Sequence, residues 1–107
     1  MAKDDYFVIA YRILKYLYAC LKAGQPADLS MYSPDALGIN NGYWVSVLEM
    51  LSGEGYITGL VFPAAVGSVR SVKLCDARIT QKGIEFLQEN GSIQRAAKFL
   101  QTVKDTV

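Results

Sequence analysis

Apolar residues recur with a helical period along the start of the chain. Tyr6, Ile9, Ile13, Leu17 and Cys20 form one stripe, which Ala10, Leu14 and Leu21 widen. Side chains three and four apart share a helix face, so the spacing predicts a helix over residues 5–23. Arg12, Lys15 and Lys22 take the opposite side, and between the two runs a second stripe of Phe7, Tyr11 and Tyr18. Few positions are left for water, so this helix is expected to be covered on more than one side. Asp4 and Asp5 suit its positive end and Lys22 its negative end, and Gly24 followed by Pro26 stops it.

The pattern then shortens. Ala27 to Met31 fits either an edge strand or the approach to a helix. Ser33-Pro34-Asp35-Ala36 is a helix start, with serine as the cap, proline at the first position and an acid at the positive end; Gly38 closes it. Asn40 or Asn41 caps a further helix from about Gly42 to Ser52, with Tyr43, Val47, Met50 and Leu51 on its apolar period and Trp44 and Leu48 broadening that face. Two helices joined through a tight glycine turn over residues 33–55 outline a helix-turn-helix.

Tyr56 to Phe62 is rich in β-branched and aromatic residues and reads as a strand, and Pro63 to Ser68 as a loop. A second strand is expected within Val69 to Leu74, extending as far as Ile79, so that residues 56–79 make a wing. Thr80 caps a helix over 80–90 that Asn90-Gly91 ends. Ser92 caps a last helix, 92–107, with Ile93, Ala96, Ala97, Leu100, Val103 and Val107 as its apolar positions. The expected fold is α+β and winged-helix-like: a helix-turn-helix plus a two- or three-stranded wing, with an extra C-terminal helix, all within a single domain over residues 1–107.

Charge changes this picture through its distribution. The chain carries a net +1, yet no Lys or Arg lies between Ala23 and Val69, a stretch that holds Asp28, Asp35, Glu49 and Glu54. The middle therefore carries −4 and the remainder +5. There is no histidine, which removes the commonest general base and metal ligand. Cys20 and Cys75 are too few for a disulfide framework and read as small core or half-buried side chains. No apolar run is long enough to cross a bilayer, and the Met1-Ala2-Lys3-Asp4-Asp5 start lacks the order of a signal peptide, so the expectation is a cytoplasmic protein with no membrane association.

Three segments are similar to a known family. Asp4-Asp5-Tyr6-Phe7-Val8-Ile9 with Ile13-Leu14-Lys15-Tyr16-Leu17-Tyr18 forms the first. Ala36-Leu37-Gly38-Ile39-Asn40, Tyr43-Trp44 and Glu54-Gly55-Tyr56-Ile57-Thr58-Gly59 make up the second, and Ile79-Thr80-Gln81-Lys82-Gly83-Ile84-Glu85-Phe86-Leu87 the third. Together they resemble the YjcQ-like family of small proteins from bacteria and their phages. That resemblance implies a winged-helix-like fold. It also implies an association with phage virion or head proteins, and it carries over no catalytic residues.

Three functions compete for this framework. For DNA binding, the second helix of the motif would present Asn40, Asn41 and Ser46 to base edges, and the wing would bring Arg70, Lys73 and Arg78 to phosphates. Phosphate neutralisation supplies most such affinity, and the acidic helix-turn-helix offers none, so DNA would be met mainly through the wing. For protein assembly, Phe7, Tyr11 and Tyr18 with Phe99 of the last helix form an aromatic surface suited to a protein partner or to pairing about a two-fold axis as a homodimer. For an enzyme, Asp76 follows Cys75 directly, but nothing marks that pair as activated, and neighbouring residues of a strand point to opposite faces. No catalytic, cofactor or metal site is expected. The charge map ranks a non-enzymatic protein-interaction or assembly module first, and a wing-led DNA-binding regulator second.

Overall fold

A computed structural model describes residues 4–63 and 71–90. The elements run α1 (Tyr6–Ala23), a single 3-10 turn (Leu29–Met31), α2 (Pro34–Leu37), α3 (Asn41–Gly53), β1 (Ile57–Val61) and β2 (Lys73–Ile79), followed by helix α4 over residues 81–90. The fold is α+β. Its core is built chiefly from two helices. Ile9, Ala10, Ile13, Leu14 and Leu17 of α1 are buried against Trp44, Val45, Val47, Leu48 and Leu51 of α3.

Local chemistry fixes the helix ends. The Ser33 hydroxyl accepts from Ala36 N–H at 3.2 Å, and Asn40 Oδ1 accepts from Tyr43 N–H at 2.8 Å, each satisfying a donor that a helix start leaves unpaired. Between α2 and α3, Gly38 takes a left-handed φ of 72°, which a side chain would resist. The guanidinium of Arg12 reaches across from α1 and donates to the carbonyls of Ala36 (3.3 Å) and Leu37 (3.5 Å) at the end of α2. Trp44 Nε1 donates to Tyr32 O at 2.8 Å, tying the approach segment into the core.

Several expectations change. Residues 27–31 form no strand: the Asp28 carboxylate accepts from Ser30 N–H (3.0 Å) and Ser30 Oγ (2.8 Å), and this local bonding turns the chain into a 3-10 turn. The sheet among the described residues is therefore two-stranded. The second strand, Lys73–Ile79, begins within the expected range and reaches its far limit at Ile79. The apolar face of α3 also rotates: Trp44, Val45, Val47, Leu48 and Leu51 are buried, whereas Met50 is 47% exposed. Leu21 of α1 is likewise exposed, because the core beneath that helix ends at Leu17. Cys75 is exposed and Cys20 half-buried. The expected last helix (92–107) and most of the expected loop, residues 64–68, lie outside the described residues.

β1 and β2 are antiparallel, pairing Ile57 with Ile79, Thr58 with Arg78, Leu60 with Leu74 and Val61 with Lys73, with the register shifting between Thr58 and Leu60. Gly59 sits at that shift with a φ of 88°, and a Cβ there would run into the Asp76 carbonyl. Among the described residues of the hairpin, Ile57, Ala77 and Ile79 are buried, and they anchor it to the helices.

Candidate functional site

Four segments converge at the start of α1. Tyr6 and Phe7 come from its first turn, Met50, Gly53 and Glu54 from the end of α3, Tyr56 from the approach to β1, and Phe86 from α4; together they line an open groove of about 490 Å³. The approach to β1 is held by Tyr56 N–H donating to Leu51 O (2.9 Å) and Thr80 Oγ1 donating to Gly55 O (2.6 Å). This locks the end of α3 to the start of α4. Tyr6 and Phe7 pack edge to face with centroids 5.2 Å apart, and Tyr56 lies 5.0 Å from Phe86. Lys82 Nζ sits 5.7 Å from the Tyr56 ring.

The groove is apolar with uncharged phenols beside it. Burial, and then the neighbouring Tyr56, Glu54 and Tyr43, raise the Tyr6 phenol above its ordinary value. Burial, and then Asp4 and Asp5, do the same for Tyr43, whose hydroxyl donates to Asp4 O at 2.6 Å. Both therefore stay protonated in neutral water. Phe7, at 55% exposed, and Met50, at 47%, present apolar surface to solvent in this one groove.

The aromatic stripe of α1 is divided by the fold. Phe7 stands out into the groove, while Tyr11 and Tyr18 are half-buried and pack against the core. Tyr18 is also covered by the Lys22 ammonium, 4.6 Å from its ring centroid. Phe99 lies outside the described residues. Sequence periodicity missed Met50, Tyr56 and Phe86 as companions of Phe7, since the first was assigned to the core and the others belong to separate elements. The one available signal was that Phe7 lies off the main stripe.

Among the described residues, the nucleic-acid candidates fall on α3, its cap and β2. Asn40 spends its side-chain oxygen on capping α3. Asn41 is exposed on the first turn of that helix and Ser46 is half-buried further along. On β2, Lys73 is exposed, and Arg78 Nε donates to Asp76 Oδ2 at 2.9 Å. Arg70 lies outside the described residues. Arg12, the base bonded to α2, has its guanidinium on the carbonyls of that helix. Among the described residues, no group of acids and cysteines is arranged to hold a metal ion, and no helix is long and apolar enough to cross a membrane.

The sequence model of the family described as YjcQ protein matches residues 11–106. The chain belongs to the YjcQ family. No curated protein and no solved structure matches it. The family match takes in Met50, Glu54, Tyr56 and Phe86 of the groove, while Tyr6 and Phe7 precede it. The expected membership, stated above from three segments, thus holds across most of the chain.

Proposed function

We propose that this YjcQ-family chain is a non-enzymatic interaction module that docks a protein, a second copy of itself in the first instance, on the groove around Phe7. The observation that carries this reading is the convergence of Phe7 and Met50, both about half exposed, on a groove completed by Tyr6, Tyr56 and Phe86. Aromatic and methionine side chains are enriched in protein interfaces, where they bury large apolar areas. The absence of histidine supports the non-enzymatic part of the reading. The phage association that the sequence resemblance implies fits an assembly role.

Light scattering tests the reading. The wild-type chain is expected at twice its 11.8 kDa mass, and Phe7→Asp at the single-chain mass with an unchanged far-UV spectrum. Phe7→Asp is preferred to Tyr11→Asp because Tyr11 packs against the core. A wild-type chain at single-chain mass, or a Phe7→Asp dimer, overturns the self-pairing.

The second reading, a winged-helix regulator meeting DNA through the hairpin, draws on the exposure of Lys73 and Arg78 on β2. The exposed Asp76–Arg78 pair offers a polyanion no net positive charge, and α3 carries no base. A low-salt titration with duplex DNA separates the two, since phosphate-led binding weakens steeply with added salt.

A further inference from the structure

At the other end of α1 a second cleft, of about 240 Å³, opens against β2. Its floor is Leu17, Cys20 and Leu21, one wall is Gly24–Ala27, and the other is Asp76–Ile79. Successive residues of a strand face opposite sides of its sheet. Four consecutive residues meet one space only along the strand's edge, so this wall is the outer edge of β2. Thr80 N–H donates to Tyr56 O at 3.0 Å, closing the hairpin base. Antiparallel bonds alternate along a ladder, so the neighbouring Ile79 turns its N–H and C=O away from β1. Among the described residues no second strand pairs with that edge.

The facing wall does not fill the position. Gln25 N–H donates to Cys20 O at 3.0 Å and Asp28 N–H to the Tyr16 hydroxyl at 2.8 Å, so this segment is bonded to α1 and not to β2. The floor between the walls is apolar, and Leu21 is 45% exposed within it. Above it, on the opposite face of the strand from buried Ala77, Asp76 and Arg78 form an exposed ion pair at 2.9 Å.

We propose that this cleft takes one extended segment of a partner protein, added antiparallel to β2 as a further strand. Charge complementarity sets its sequence: an acid opposite Arg78, then an apolar residue over the Leu21 floor, then a base opposite Asp76. Strand addition of this kind draws affinity from the main chain and specificity from alternate side chains. A second copy's β2 is the wrong occupant. It carries β1 on its far edge, and that strand would fall on the Gly24–Ala27 wall. The site is separate from the groove around Phe7 and stands or falls independently of it.

The test uses two short capped peptides titrated into the full chain and followed by backbone amide shifts. One carries glutamate-valine-lysine between β-branched residues, the other the same residues with the two charges exchanged. The first is expected to shift the amides of Asp76–Ile79 and Gly24–Ala27. The second is expected to bind about tenfold more weakly, because two cross-strand attractions become repulsions. The double variant Asp76→Lys with Arg78→Glu, changed only at exposed positions, is expected to reverse that preference. No shift with either peptide, equal binding of both, or shifts confined to other residues overturns the proposal. So does a loss of dimer mass in Asp76→Lys alone, which would make the edge a self-contact.

Discussion

The helical and hairpin halves of this molecule divide its labour. The eight largest fully buried side chains, among them Ile9, Ile13, Leu48 and Leu51, all belong to α1 and α3. Among the described residues, the hairpin contributes only Ile57, Ala77 and Ile79 to the core, leaves Val61 half exposed, and has no further strand on the outer edge of β2. Two helices stripe-to-stripe exclude water along their whole contact, while a two-stranded ribbon has one face for the core and two edges for something else. The lesson is that stability resides where the surfaces are least available, and the more exposed apolar surfaces sit on the periphery of that helical pair.

The sharpest way to break this comparison is to cut into each half. Leu48→Ala is expected to lower unfolding free energy by about 3 kcal/mol in a denaturant titration, since it removes fully buried methyls from the α1–α3 contact. Val61→Ala, at the open end of the hairpin, is expected to cost less than about 0.5 kcal/mol. Equal costs would dissolve the distinction between the halves. Gly59→Ala comes next, at about 2 kcal/mol, because alanine resists a positive φ and its Cβ meets the Asp76 carbonyl. Its effect should read as faster amide exchange in β1 and β2 with α1 and α3 still protected. Acceleration spread evenly through both helices would make the two halves one cooperative unit.

The smallest expected effect is a pH dependence. Burial, and then the neighbouring Tyr16 and Cys20, raise the Tyr32 phenol above its ordinary value. The folded state therefore holds this proton more tightly than the unfolded chain does. Its contribution is complete below the ordinary phenol value of about 10 and is lost as pH rises through the folded value. Thermal midpoints of the wild type should fall above about pH 10, and Tyr32→Phe should fall less steeply over the same range. An unchanged slope in that variant would place the alkaline loss on other groups.

These contrasts also explain what was legible in the sequence. The ends of α1, α2 and α3 could be read because a cap acts within one turn: Ser33, Gly38 and Asn40 sit where the sequence puts them and bond as their chemistry requires. The exposure of Met50 is not legible from the sequence, because α3 has apolar residues on more than one side and period alone does not choose its buried face. Ala27 to Met31 was open because its fate turns on Asp28 bonding to Ser30, which competes with strand pairing. The groove was not legible at all beyond Phe7, since Tyr56 and Phe86 reach it only through the packing of α4 beside the end of α3. The cleft beside β2 was likewise not legible, since its walls, Gly24–Ala27 and Asp76–Ile79, are far apart in the chain.

One bond described earlier has an optical consequence. Trp44 is the chain's single tryptophan, it is buried in the helical half, and its ring nitrogen is fixed to Tyr32 O at 2.8 Å. Its emission is thus a built-in lamp for α1 and α3, set at the wavelength of a dry, immobile indole and red-shifting when water enters that contact. A peptide settling on the β2 edge would leave the lamp unchanged, whereas any event that pries the two helices apart would announce itself in colour without a label.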